Sequence, residues 1–161
     1  MGRNVAALSA CAALAFTFAS WASAASKQVP LERALQRLTG QTFSVACLSK
    51  AEFGQARWAG ITELDSPPRI FLAPQTCDAL LRRAGTDAFD RAFAVKTLTH
   101  EAGHALLITA CEYKAESYAM TNWQRLYRML AHASPTPAQI AYVDATHNQL
   151  PPQYLSPGQF C

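Results

Sequence analysis

Leu31, Ala34, Leu35 and Leu38 recur at three- and four-residue spacing behind Pro30 and stop short of Gly40. That pattern predicts a short amphipathic helix over VPLERALQRLTG. The period then shortens. TFSVACL is β-branched and aromatic and reads as a strand carrying Cys47. A second strand or hairpin is expected around Ala56 to Ile61, a turn at Pro67 and Pro68, and a third strand over Arg69 to Ala73.

From PQTCDALLRRAG onward the spacing is helical, with Thr76 as the expected N-cap and Gly85 as the stop. A long helix follows from Asp87 to about Ile108, capped by Thr86. Phe89, Phe93, Val95, Leu98, Ala102 and Leu106 give it a broad apolar face. Another helix is expected from about Ala110 to Ala131, and one more begins in SPTPAQIAYVDATH with Ser134 as N-cap and Pro135 at the first helical position. The tail from Pro151 to Cys161 reads as irregular. A few short strands ahead of a run of helices define an α+β class, with a small N-terminal sheet packed on a helical part.

Composition narrows the picture. At 161 residues, half of them apolar, with a net charge of +3, the chain suits one folded domain and carries no basic stripe for nucleic acid. Residues 1–24 combine Arg3, an apolar run from Val5 to about Ala19, and small residues at Ala22 and Ala24, the layout of a secretory signal peptide. The run is short for a membrane span. It also extends beyond Cys11, whereas a lipoprotein box would close on that cysteine, so lipid anchoring at Cys11 is not expected. Cleavage would leave residues 25–161 as a single exported domain with Cys47, Cys77, Cys111 and Cys161. Four cysteines in an exported chain predict two disulfides in one of three connectivities.

The chemistry lies in LTHEAGHALL on the long helix. His100 and His104, four residues apart, stand one above the other and can offer two imidazoles to one metal ion. Glu101 is rotated about 100° from His100, so it can reach the metal's water without being a ligand. This H-E-x-x-H pattern points to zinc that polarises a peptide carbonyl, with Glu101 as general base. Gly103 permits close packing beside the site. A third ligand is needed, and the following segment offers Glu112 and Glu116. With two antiparallel helices, the midpoint of the histidines lies about 9 Å below the turn, level with Glu116. Glu112 stands at the top, where TACE reads as a capping box led by Thr109. Height therefore favours Glu116, with Glu112 as the alternative.

H-E-x-G-H followed by E-x-x-A-E-x-Y-A resembles the gluzincins, zinc peptidases with two histidines and a downstream glutamate on the metal, and especially the small compact zincins of bacteria. The resemblance covers about Ala94 to Met120. It implies that the first glutamate, Glu112, is the ligand, with Glu116 orienting a histidine. A metzincin pattern is excluded by Leu107 and Ala110, where glycine and histidine or aspartate would stand.

The resulting expectation is a secreted zinc metallopeptidase acting on peptide or protein substrates. Its rivals are a non-catalytic zinc-stabilised binding protein and a disulfide-stapled interaction domain without metal. Tyr113 and Tyr118 are weaker candidates for oxyanion donors. Arg69 to Ala73 is a candidate edge strand for an extended substrate. His132 and His147 read as surface residues.

Overall fold

The computed structural model describes residues 26–53, 58–157 and 161. The expected leader, Cys11 included, lies outside the described residues. The described chain is α+β. Strand β1 (Ser26–Lys27) precedes helix α1 (Val29–Thr39), strand β2 (Ser44–Cys47), the short helix α2 (Lys50–Phe53), and strands β3 (Gly60–Glu63) and β4 (Arg69–Leu72). Helices α3 (Pro74–Leu80), α4 (Ala88–Leu107), α5 (Glu112–Ala131), α6 (Pro137–His147) and α7 (Pro152–Leu155) complete it.

The sheet order is β1-β2-β4-β3, with β2 and β4 parallel and the outer pairs antiparallel. Alternation decides the buried face: Val45 and Cys47 on β2, and Ile70 and Leu72 on β4, turn inward. They meet the predicted face of α1, Leu31, Ala34, Leu35 and Leu38, in one core with Val95, Leu98 and Ala102 of α4. Gly40 ends α1 in the left-handed conformation at φ 79°, its N–H bonded to the Gln36 carbonyl.

Several boundaries move. Pro74, not Thr76, opens α3, and the Thr76 hydroxyl donates to the Ala59 carbonyl instead. That helix ends at Leu80, before Gly85. Asp87 replaces Thr86 as the cap of α4 because its carboxylate accepts from Phe89 and Asp90 while Asp90 answers its N–H. Thr136, paired with Gln139, caps α6 with Pro137 behind it, displacing Ser134 and Pro135. The tail contains α7 and is fastened by its cysteine: the disulfides are Cys47–Cys77 and Cys111–Cys161.

Arg69 to Leu72 is not the sheet edge. β4 lies between β2 and β3, and a strand flanked on both sides and turned inward on one face reads as an apolar run. The edges are β1 and β3, and β3 lies against α4. α4 and α5 pack closely where Gly103 meets Ala115: a Cβ on Gly103 would fall 2.9 Å from the Ala115 carbonyl oxygen.

Candidate metal centre

α4 is buried over most of its circumference, which sinks His100 and Glu101 to 7% exposure each. Ile108 ends it in the left-handed region at φ 44°, and the chain returns as α5 with Cys111 as cap. The expected capping box is absent. Thr109 accepts from the Cys111 N–H and Cys111 Sγ from the Lys114 N–H. Glu112 is thus freed from the helix end, and its Oε2 lies 3.0 Å from His100 Nε2 and 3.4 Å from His104 Nε2.

The two Nε2 atoms are 3.1 Å apart. His104 Nδ1 donates to the Thr109 carbonyl at 2.8 Å, and His100 Nδ1 donates to Glu116 at 2.9 Å. With both Nδ1 positions carrying the proton, each neutral ring turns an Nε2 lone pair toward Glu112. Two facing lone pairs and a carboxylate call for a cation between them. Tetrahedral ligands about 2.1 Å from a zinc ion stand about 3.4 Å from one another, close to the three separations here. His100, His104 and Glu112 form a group able to hold a metal ion.

Glu116 is not in that group. Fully buried, it takes His100 Nδ1 and Lys96 Nζ (2.6 Å) on Oε2, and His147 Nδ1 (2.7 Å) on Oε1. Height along the helix put Glu116 level with the midpoint of the two histidines, and it does touch the His100 ring, but on the inner nitrogen. Counting turns says nothing about which side of an imidazole a carboxylate meets. His147, expected at the surface, closes this inner cluster, whereas His132 is exposed at the end of α5.

Electrostatics follow the contacts. Burial opposes a charge on His100, but the hydrogen bonds it donates to Glu112 and Glu116 outweigh it and raise its pKa to about 9, so a proton on Nε2 and a metal ion compete for the same place beside Glu112. Bonds from His100 and His104 hold Glu112 down to about 2. Glu116, although desolvated, is also held to about 2, by His100, Lys96 and His147. Glu101 moves the other way: burial raises it, against the nearby histidines. Its Oε2 accepts from the Thr62 hydroxyl at 2.8 Å, and that hydroxyl also lies 2.9 Å from the Glu101 carbonyl. Gly60 leaves room for the carboxylate, since a Cβ there would lie 2.8 Å from Glu101 Cγ.

No family model matches the chain, nor does any curated protein or solved structure. The geometry therefore stands on this chain's own residues.

One cavity of about 600 Å³ holds His100, Glu101, His104 and Glu112. Neither Tyr113 nor Tyr118 lines it; Tyr118 instead packs against the Gly103 contact. Tyr154 of α7 does, its ring centroid 5.8 Å from that of His100. Burial and then Glu112, to which its hydroxyl donates, raise the Tyr154 pKa. Sequence reasoning missed Tyr154, Thr62, Lys96 and His147. Only Lys96 carried a local signal: a cation inside an apolar helix, one turn before His100.

Proposed function

We propose that the chain is a secreted zinc metallopeptidase of the H-E-x-x-H type, similar to the gluzincins. The observation that carries this reading is the convergence of His100 Nε2, His104 Nε2 and a Glu112 oxygen within 4.8 Å of one another, beside a buried Glu101. His100, His104 and Glu112 would hold the ion, and Glu116 and the Thr109 carbonyl orient the two rings. Bound there, zinc supplies the Lewis acidity that makes water nucleophilic near neutral pH and polarises the scissile carbonyl.

The chain's own residues do the rest. Glu101 accepts a proton from water as the oxygen joins the acyl carbon, then delivers it to the departing amine nitrogen as the C–N bond breaks. Its burial-raised pKa suits a group that must take and return a proton. Thr62 fixes the carboxylate. Tyr154, rather than Tyr113 or Tyr118, has its hydroxyl in the cavity to donate to the developing oxyanion. The edge strand β3 offers backbone groups to an extended peptide. Export is supported by the leader pattern and by two disulfides. Among the described residues, no helix is long and apolar enough to cross a membrane.

Replacing Glu101 with Gln is expected to leave one zinc per chain and to abolish cleavage of a mixed peptide library. Undiminished cleavage overturns the mechanism. Stoichiometric zinc in a wild-type chain that cleaves nothing points to the binding-protein rival. No zinc in either form points to the metal-free domain.

A further inference from the structure

β3 and α4 run side by side past the metal-ligating residues. Gly60 and Thr62 touch Glu101. Ahead of them, Trp58 and Ala59 share a cavity wall with Phe93, and beyond them Leu64 borders a cavity with Ala105 and Ile108. The lengths agree: Trp58 to Leu64 advances about 20 Å as extended chain, and Phe93 to Ala105 about 18 Å as helix. Three cavities thus follow one another along the edge strand, neighbours sharing Trp58, Ala59 and Phe93 at one end and Leu64 at the other.

The cavity at the Trp58 end is a chamber of about 530 Å³. Its floor is the buried methyl groups of Ala73, Ala79 and Ala94, and Trp58, 54% exposed, stands with Phe93 between it and the metal-ligating residues. Of the polar side chains that line it, Gln75 is uncharged and Thr76 donates to the Ala59 carbonyl. Asp78 pairs with Arg83, Asp90 accepts from the Asp87 N–H, and Thr86 donates to the Arg83 carbonyl. An acidic side chain entering here would lose water and face the carboxylates of Asp78 and Asp90.

Resting on the metallopeptidase reading, we propose that this chamber is a specificity subsite for one large apolar side chain, aromatic or branched aliphatic, of an extended polypeptide lying along β3. Phe93 precedes His100 by about 10 Å along α4, the span of about three extended residues. The anchoring residue therefore lies about three positions to one side of the scissile bond.

The test starts from a peptide cleaved in a mixed library and varies each position up to four residues either side of the cut, through Trp, Phe, Leu, Ala and Asp. Large apolar residues at one position, two to four from the cut, should raise kcat/KM at least about tenfold over Ala and more over Asp. In Trp58→Ala, and in Ala84→Leu, which fills the chamber from an exposed rim position, that preference should fall to about twofold or less. The Glu101→Gln chain should bind the labelled Phe peptide more tightly than the Ala peptide by fluorescence anisotropy, and lose the difference when Trp58→Ala is added. Cleavage with no apolar preference at these positions, or a preference that survives both variants, overturns the subsite and leaves the peptidase reading standing. A chain that neither cleaves nor binds any peptide overturns both.

Discussion

Glu112 and Glu116 sit one turn apart on α5 and touch opposite nitrogens of the same imidazole, yet their surroundings assign them different work. Glu116 is fully buried among Lys96, His100 and His147, both oxygens occupied, with its charge matched inside the protein. Glu112 is partly exposed in a cavity, and its oxygen shares space with two ring nitrogens that face each other. The inner carboxylate is a structural anchor that fixes how His100 points. The outer one meets both Nε2 atoms and forms with them a group that could hold a metal ion. Burial and hydrogen-bond saturation, more than sequence position, separate the carboxylate that supports a ring from the one that could ligate a metal.

The comparison breaks most visibly on the inner side. Glu116→Leu strands the Lys96 charge, and the account expects a loss of about 3–5 kcal/mol in folding stability, read from the urea midpoint with or without zinc. Glu112→Ala should do the reverse: stability changes by less than about 1 kcal/mol, while zinc affinity, measured by competition with a chelating dye, falls by more than about 100-fold. Equal stability losses in the two variants would erase the distinction. Gly103→Ala tests the helix contact that sets both carboxylates opposite the histidines. Its Cβ meets the Ala115 backbone at 2.9 Å, and the expected cost is about 1–3 kcal/mol with some loss of zinc affinity. Thr62→Val gives the smallest effect. Removing one hydrogen bond to Glu101 should lower kcat by about three- to tenfold, with zinc content unchanged.

The helices and the histidine pair were legible in the sequence because they depend on local periodicity. α1 has its expected apolar face, and α4 runs one residue short of its predicted ends. The caps of α4 and α6 slipped by one and two residues where Thr, Ser, Asp and Pro cluster, since each neighbour is a competent cap and only the reciprocal bonds decide. Glu112 was obscured for the same reason. TACE matches a capping box, and nothing local reveals that Cys111 takes the cap instead. β3 shows no burial alternation, all four residues being intermediate, so its place at the edge follows from pairing rather than pattern. Thr62, His147 and Tyr154 reach the cavity or its inner side from β3, the end of α6 and α7. Those approaches span tens of residues of sequence and leave no short-range signature.

Zinc titration calorimetry on the purified chain and three variants decides whether the two histidines and Glu112 hold a metal. One high-affinity site per wild-type chain is expected, retained in Glu101→Gln and lost in both His100→Ala and Glu112→Ala. Wild-type affinity in Glu112→Ala, or no zinc binding by the wild-type chain, would contradict that expectation.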